Sequence, residues 1–237
     1  MRVTVFPDPG ALAAGAAEVV AELLLPPGPV TFGVAGGTTP QATYRHLRDA
    51  RVEWERVDAW LSDERWVPLD HPDSNGRMAE EALLGHVPAR FHRPRWAPWL
   101  TADRSAAQYE HDLLEILVRD GRPRPDLVLL GMGDDGHTAS LFPGTEALEV
   151  RDRWFVANWA PAQGAWRLSA TYPLLHAARH LVVLVSGEGK AEALARVLEG
   201  DGDPLPARRV MDGSAEVLWL VDEAAAAGLQ AAPVERP

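Results

Sequence analysis

The sequence predicts an α/β fold: a single domain over residues 1–237, built on a doubly wound, mostly parallel sheet with helices on both faces. Three observations support this prediction. Short β-rich runs alternate with helical patterns along the chain, which is typical of repeated β-α-β units. The runs are almost continuously apolar, as expected of strands that are covered on both sides. Finally, no linker divides the chain.

Seven segments are predicted to be strands because they are short, apolar and bounded by turn residues. They are VTVF (3–6), VTFGVA (30–35), VDAWLS (57–62), DLVLLG (126–131), WFVANW (154–159), LVVLVS (181–186) and EVLWLV (216–221). Apolar residues at helical spacing predict four clear helices between them. These helices cover residues 11–25, 41–50, 105–120 and 190–200, and the alanine-rich tail after residue 223 predicts a final helix that frays.

The composition narrows the classes of function. The chain has no cysteine, which excludes disulfides, thiolate metal sites and a cysteine nucleophile. Its net charge of -11 disfavours nucleic acid as a partner, because such binding relies on lysine and arginine. No apolar run is long enough for a membrane span, and MRVTVFPDPG lacks the core of a signal peptide. We expect a cytoplasmic protein, monomer or homodimer, that binds neither membranes nor nucleic acid.

Four unusual segments lie at the ends of predicted strands. They are AGGTTPQ, DERW, GMGDDGH and SGEGK. In parallel α/β sheets, ligands bind beyond the carboxyl ends of the strands. We therefore expect these segments to share one edge of the sheet and to form one site.

AGGTTPQ is a candidate phosphate site. Gly36 and Gly37 allow a tight turn, and Thr38 adds a hydroxyl. We expect Thr39 to be the N-cap of a helix whose first residue is Pro40. A phosphate there could accept hydrogen bonds from free backbone N–H groups at the positive end of the helix. The alternative is an ordinary capped helix start.

SGEGK contains Lys190, the one lysine of a chain that has 22 arginines. A compact ammonium group fits a tight anion pocket in which a planar guanidinium does not. We therefore expect Lys190 to contact an anionic ligand. Chance is the alternative explanation for a single residue.

GMGDDGHTASLFPG contains the candidate base, His137. We expect this histidine in the first turn of a short helix, where the helix dipole favours the neutral imidazole. Asp135 could orient the imidazole or the substrate, or it could cap the following turn. The alternative interpretation of His137 is a structural loop histidine.

DERWVPLDHPDSN places Asp63, Glu64 and Arg65 directly after a strand that we predict to be buried. Charges there are costly unless they face a cleft. Arg65 could hold a substrate oxygen or a carboxylate, and an internal salt bridge between Arg65 and one of the acids is the alternative. We expect Ser74 and Asn75 to cap the next helix.

Neither a metal site nor a serine nucleophile is predicted. His176 and His180 have the i, i+4 spacing of metal ligands, but no HExxH motif accompanies them, so we favour a solvated helix face. Ser186 lies in LVVLVSGEG, which lacks the first glycine of a G-x-S-x-G elbow. We expect no cofactor, and in a hydrolase water would attack directly.

Taken in order, these segments resemble the 6-phosphogluconolactonase family, which shares its fold with glucosamine-6-phosphate deaminases. AGGTTP is similar to the family's GGSTP, DERWVP and DSN to its acidic segment, and GMGDDGHTASLFPG to its histidine segment. Thr38 replaces a serine, and Asp134 stands where proline is common. Deaminases have a glutamate where this chain has Phe142, and typically a tyrosine where it has Arg65. The resemblance therefore favours the lactonase branch.

This resemblance implies hydrolysis of 6-phosphoglucono-δ-lactone to 6-phosphogluconate in the oxidative pentose phosphate pathway. A deaminase-like enzyme and a non-catalytic sugar-phosphate sensor are the alternatives. In the implied mechanism His137 activates water and Arg65 stabilises the oxyanion. The implied catalytic set is His137, Asp135, Arg65 and Asp63, and the implied phosphate set is Gly36, Gly37, Thr38, Arg167 and Lys190.

Overall fold

The computed structural model describes residues 2–200, 202–231 and 234–236. The strands are β1 (Arg2–Phe6), β2 (Val30–Val34), β3 (Val57–Leu61), β4 (Asp63–Arg65), β5 (Arg90–His92), β6 (Val118–Arg119), β7 (Arg122–Pro123), β8 (Leu127–Gly131), β9 (Phe155–Ala160), β10 (Ala165–Ala170), β11 (His180–Val185), β12 (Glu216–Asp222) and β13 (Val234–Glu235). The helices are α1 (Pro9–Leu23), α2 (Thr38–Leu47), α3 (Asn75–Ala79), α4 (Ala102–Leu117), α5 (Tyr172–His176), α6 (Ala191–Glu199), α7 (Pro206–Arg209) and α8 (Glu223–Ala226).

Eight strands form the main sheet, in the order β13-β1-β12-β11-β8-β2-β3-β5. The described pairings within it are parallel, which confirms the predicted fold class. From β2 the chain moves outward through β3 to β5, and from β8 it moves outward in the other direction through β11 to β12. The strand order therefore reverses between β2 and β8, the place where open α/β sheets form a ligand crevice.

Both faces of the sheet are buried, as the continuous apolar runs predicted. Successive side chains of β11 alternate between two clusters: Leu181 and Val183 pack on one face, and Val182 and Leu184 on the other. Helix α4 contributes to the first cluster, and α1 and α2 contribute to the second. Burying each such aliphatic side chain stabilises the fold by about 1.5–3 kcal/mol. This packing fixes the strand ends that carry the site.

A second, antiparallel sheet has the order β4-β10-β9. The strand predicted at residues 154–159 is confirmed as β9, but it lies outside the parallel sheet, because the chain turns back through Gly164 and β9 pairs with β10. Strand β10 itself was not predicted. Its pairing with β4 places Arg167 opposite Arg65.

The helix boundaries differ from the prediction at their ends. Helix α1 begins earlier because the Asp8 carboxylate accepts a hydrogen bond from the Ala11 amide. Helix α4 ends at Leu117 because the chain turns through Asp120, whose φ is 52°. The predicted tail helix is a single turn, α8. The part of the predicted tail at residues 232, 233 and 237 lies outside the described residues.

The prediction that His176 and His180 share a solvated helix face was also wrong. His176 ends α5, stacks on Tyr172 at 5.5 Å and lies 2.7 Å from the Arg209 carbonyl oxygen through Nε2. His180 begins strand β11, with Nδ1 3.4 Å from a Glu216 carboxylate oxygen. The two imidazoles therefore have separate structural partners.

Candidate active site

The carboxyl ends of β2, β3, β8 and β11 open onto a single cavity of about 260 Å³. The four segments that the sequence analysis singled out meet there. Of the predicted site residues, seven line the cavity directly: Gly36, Gly37, Thr38, Asp63, Arg65, His137 and Lys190. The other two, Asp135 and Arg167, do not line it but lie beside residues that do.

His137 and Asp135 form a hydrogen-bonded pair. The Asp135 Oδ1 atom lies 2.6 Å from His137 Nδ1 and also accepts a hydrogen bond of 3.0 Å from the His137 amide. Burial of the Asp135 carboxyl raises its pKa, but the hydrogen bonds and charge of His137 outweigh this and lower the pKa below its ordinary value. An ionised Asp135 selects the tautomer with a proton on Nδ1, which leaves Nε2 free to accept one. Asp135 is thus the acid that orients His137.

The predicted helix after His137 is absent from the described residues. Residues 137–144 form a turn with a short bridge from Thr138 to Leu141. The segment GDDGHT is closed by its own backbone, because the Gly133 amide donates to the His137 carbonyl oxygen at 2.8 Å. No helix dipole therefore acts on the imidazole, and its hydrogen bond to Asp135 orients the ring instead.

Gly133 makes room for this pair. A Cβ atom at residue 133 would lie 2.1 Å from His137 Nδ1 and 2.6 Å from Asp135 Oδ1. Both distances are far below van der Waals contact, so a larger residue would displace the pair. The imidazole also packs on Phe142, with ring centroids 4.4 Å apart. The position of His137 therefore depends on Asp135, on Phe142 and on the space at Gly133.

The acidic segment separates into a structural acid and a cavity acid. Glu64 is buried and accepts hydrogen bonds from the Ser74 hydroxyl and from the amides of Asn75 and Gly76. Burial raises the pKa of Glu64, and these hydrogen bonds oppose that rise. Asp63 lines the cavity, and its Oδ2 atom accepts a hydrogen bond of 2.7 Å from Ser140. Glu64 therefore anchors the start of α3, whereas Asp63 faces the site.

Arg65 is held without an acidic partner. Its Nη1 atom donates to the Asp73 carbonyl oxygen at 2.8 Å, and over the described ranges it forms no ion pair with Asp63 or Glu64. The salt-bridge alternative is therefore not what the structure contains. A guanidinium that lines the cavity and has no bound carboxylate is available to an anionic or partly negative oxygen.

Ser74 caps α3 as predicted, since its hydroxyl accepts a hydrogen bond of 3.1 Å from the Arg77 amide. Asn75 was expected to cap as well, but it is the first residue of the helix. Its side-chain amide donates to the Asp63 carbonyl oxygen at 3.0 Å and lines the cavity. Asn75 is therefore a cavity residue that was not predicted to belong to the site.

The diglycine turn leads directly into α2. Gly37 has φ 107° and is the N-cap, so the helix begins at Thr38. The prediction that Thr39 is the N-cap and Pro40 the first helical residue was therefore wrong by two positions. Gly36 packs against Asn75, and a Cβ atom there would lie 1.9 Å from the asparagine Oδ1 atom. This turn brings free backbone N–H groups to the cavity wall.

Tyr44 secures the strand end before this turn, and the sequence analysis missed it. Its buried hydroxyl accepts a hydrogen bond from the Ala35 amide and donates one to the Ala35 carbonyl oxygen, both at 2.9 Å. Burial raises the pKa of Tyr44 far above its ordinary value. The hydroxyl therefore stays protonated and can make both bonds.

Two further cations lie at the site. Lys190 ends the short helical turn Glu188–Lys190 and lines the cavity, and no ion pair is described for it within the ranges that the structure covers. Arg167 faces Arg65 across the β4–β10 pair. Burial lowers the pKa of Arg167, and the charge of Arg65 lowers it further. Two like charges placed opposite each other are unfavourable, so an anion between them would be stabilising.

Within the described residues, no three or more histidine, cysteine, aspartate or glutamate side chains are grouped so that they could hold a metal ion. None of the helices in this part of the chain is long and apolar enough to cross a membrane.

Comparisons with known proteins find similarity over most of the chain. The family model described as glucosamine-6-phosphate isomerases/6-phosphogluconolactonase matches residues 8–219. A 6-phosphogluconolactonase of Nostoc sp. is 38% identical over 236 residues, which cover 96% of this chain and 98% of the relative. A 6-phosphogluconolactonase of Rattus norvegicus is 32% identical over an alignment that covers 94% of this chain and 92% of the relative.

Solved structures are also similar over nearly the whole chain. A 6-phosphogluconolactonase from Trypanosoma brucei superposes with a TM-score of 0.88 and 28% identity, over 97% of this chain and 98% of that one. A monomeric glucosamine-6-phosphate deaminase superposes with a TM-score of 0.81 over 96% of this chain and 100% of its own. At 24% identity, this second likeness concerns the fold alone.

Proposed function

Because the chain belongs to the glucosamine-6-phosphate isomerase/6-phosphogluconolactonase family, we propose that it is a carboxylic ester hydrolase that converts 6-phosphoglucono-δ-lactone to 6-phosphogluconate. The observation that carries the proposal is the hydrogen-bonded pair of His137 and Asp135, which lies beside the cavity reached by Gly36 and Lys190. A base and an anion site then share one crevice. We also propose that residues 1–237 make one domain, because a single sheet separates the two hydrophobic clusters.

The lactonase branch is favoured over the deaminase branch by Phe142. Its ring packs on the imidazole at the position where deaminases have a glutamate that assists ring opening. An apolar ring cannot exchange a proton with the substrate. The site therefore lacks that part of the deaminase relay, whereas hydrolysis of an ester needs only a base for water and support for an oxyanion.

In the proposed mechanism His137 Nε2 takes a proton from water as the water oxygen bonds to the lactone carbonyl carbon. The tetrahedral intermediate then collapses, the bond from that carbon to the ring oxygen breaks, and the imidazolium returns the proton to the ring oxygen. Positioned acid–base catalysis of this kind contributes roughly 10²- to 10⁴-fold. The Asp135 carboxylate stabilises the imidazolium that forms between the two steps.

Arg65 and Asp63 complete the reacting centre in this proposal. The guanidinium of Arg65 stabilises the negative charge that develops on the carbonyl oxygen, as preorganised donors do. Asp63 is held through Oδ2 by Ser140, so its other carboxylate oxygen is the one that contacts the substrate. Both residues lie on the short strand β4, which fixes their spacing.

The phosphate binds, in this proposal, among Gly36, Gly37 and Thr38, at the positive end of α2. Backbone N–H groups at a helix N-terminus favour an anion. Lys190 approaches from the adjacent strand end with a compact charge that leaves room for these amides. Arg167 closes the pocket next to Arg65.

The direct test is to supply the purified protein with 6-phosphoglucono-δ-lactone and, separately, with glucosamine 6-phosphate. We expect 6-phosphogluconate to form faster than by spontaneous hydrolysis, and no release of ammonia from the amino sugar. His137→Ala should lose most of kcat and still bind the product, since the imidazole acts mainly in the transition state. Turnover of the amino sugar alone would overturn the choice of branch, and an unchanged kcat in His137→Ala would overturn the proposed base.

A further inference from the structure

Ser186 lines the same cavity as His137 and Lys190, and the proposed mechanism gives it no role. Its hydroxyl donates a hydrogen bond to Oδ2 of Asp222. Asp222 ends strand β12 and is fully buried. We infer that Ser186 is a specificity-determining residue whose oxygen accepts a hydrogen bond from a substrate hydroxyl group. Asp222 is the positioning residue, because it takes the Ser186 proton and so leaves the Ser186 oxygen to act as an acceptor. The inference rests on the proposed function.

The hydrogen bonds of Asp222 fix the direction of the bond from Ser186. Its Oδ1 atom accepts from the Ala225 amide at 2.8 Å, and the Gly187 amide donates to both carboxylate oxygens at 3.0 Å. All of these partners are donors, so the carboxylate acts only as an acceptor. Ser186 must therefore supply the proton of its bond with Asp222.

A serine hydroxyl has one proton and two lone pairs. Since Asp222 takes the proton, Ser186 presents only lone pairs to the cavity. A fully ionised phosphate group also offers only lone pairs and cannot form a hydrogen bond to this oxygen. A sugar hydroxyl has a proton to donate and can. The buried negative charge of Asp222, one hydrogen bond away, disfavours an anion at this place as well.

The cavity is therefore divided by polarity. Thr38, Lys190 and the backbone amides at Gly36 and Gly37 offer donors to an anion, whereas Ser186 offers an acceptor. A ligand with a phosphate at one end and hydroxyl groups along its chain satisfies both in one orientation. The proposed reaction likewise requires one orientation, with the ester beside His137.

The test measures binding of 6-phosphogluconate and of its 2-, 3- and 4-deoxy analogues by calorimetry. Ser186→Ala should bind 6-phosphogluconate about 2- to 12-fold more weakly than the wild type, the usual net effect of one hydrogen bond. For one deoxy analogue this difference should disappear. The matched control is Ser214→Ala, since Ser214 is exposed and donates to the His176 carbonyl oxygen instead. Equal affinities of wild type and Ser186→Ala, or an equal loss for every analogue, would overturn the inference.

Deoxyfluoro analogues test the polarity itself, because fluorine cannot donate a hydrogen bond. One carbon of the substrate carries the hydroxyl group that donates to Ser186. With fluorine at that carbon, the wild type should bind the compound as weakly as it binds the deoxy compound. In Asp222→Asn the amide nitrogen replaces Oδ2 and donates to Ser186, which frees the hydroxyl proton for the cavity. That variant should bind the fluoro compound more tightly than the deoxy compound. A wild type that already prefers the fluoro compound would refute the assigned polarity.

Failure of this inference is distinguishable from failure of the proposed function. The calorimetric experiment uses the product and requires no turnover. A protein that binds 6-phosphogluconate through Ser186 but hydrolyses no lactone would overturn only the reaction. A protein that hydrolyses the lactone while Ser186→Ala binds the product like the wild type would overturn only the role of Ser186.

Discussion

Asp135→Asn is the most informative test of how the proposed base, His137, is supported. The substitution removes the negative charge of residue 135 and changes the shape of its side chain very little. In the wild type Asp135 Oδ1 lies 2.6 Å from His137 Nδ1 and 3.0 Å from the His137 amide nitrogen. The amide oxygen of asparagine can accept both bonds. The variant therefore keeps the orientation of the ring but loses the carboxylate that stabilises the imidazolium.

The size of the effect follows from the exposure of Asp135. Two unit charges about 4 Å apart interact by about 4 kcal/mol at an effective dielectric constant of about 20. The Asp135 side chain is 43% exposed, so solvent reduces this to about 1–2 kcal/mol. That range corresponds to about a 5- to 30-fold loss of kcat. Asp135→Ala removes the hydrogen bonds as well, and a bond to a charged group contributes about 1.5–3 kcal/mol, so we expect a loss of about 70- to 5,000-fold.

The assay is kcat and KM for 6-phosphoglucono-δ-lactone in both variants, with product affinity as the check on geometry. Asp134→Asn is the matched control, because Asp134 is exposed and adjacent in sequence; its kcat should stay within about twofold, as is usual for a surface change. If Asp135→Asn is as fast as the wild type, the carboxylate does not support the base. If it is as slow as His137→Ala, the carboxylate itself takes part in the proton transfer.

Three other predictions follow. Lys190→Ala should raise KM at least about tenfold for the phosphorylated lactone and leave KM for glucono-δ-lactone unchanged; equal losses would remove Lys190 from the phosphate site. Tyr44→Phe leaves both polar groups of buried Ala35 unpaired, so urea unfolding should show a loss of about 1–3 kcal/mol. Although burial raises the pKa of Asp58, its bonds to Arg90 and His92 lower it overall. The ionised Asp58 therefore adds to the free energy of unfolding above about pH 4, and this addition is lost as the pH falls through the lowered pKa. Asp58→Asn should flatten the dependence of the unfolding free energy on pH below about 4, and an unchanged slope would contradict this.

The main sheet could be predicted because a local sequence pattern indicates each of its central strands. LVVLV and DLVLL are short apolar runs bounded by turn residues, and burial on both faces requires such a pattern. The meeting of four distant segments could be predicted as well, since the carboxyl ends of parallel strands share an edge. The nine predicted site residues therefore lie in or beside one cavity.

The second sheet could not be predicted, because β4 has only three residues and their side chains are charged. Its pairing with β10 depends on contacts between residues about a hundred positions apart, and no local pattern encodes them. The missing helix after His137 has a local cause instead. The backbone of GDDGHT closes on itself through the hydrogen bond from the Gly133 amide to the His137 carbonyl oxygen, and this closure outweighs the helical signal.

Ser186 and Asp222 show a further limit of the sequence. A serine at the end of a strand and an aspartate at the end of another are common and have no motif. Their bond depends on the register that pairs β11 with β12, in which Val185 lies opposite Val221. Only the three-dimensional structure shows that the Ser186 hydroxyl proton is already used in a hydrogen bond to Asp222.

The position of β1 in the sheet has a consequence for biosynthesis. This strand pairs with β12 and β13, so that Arg2 lies opposite Leu218 and Val3 opposite Val234. On the ribosome β1 has no partner strand until β12, at Glu216–Asp222, has emerged. Strands β2, β3 and β8 can associate earlier, around the crevice of the candidate site. Until β12 arrives, the unpaired edge of β1 is open to pairing with other chains, which is the kind of exposure that favours aggregation during folding.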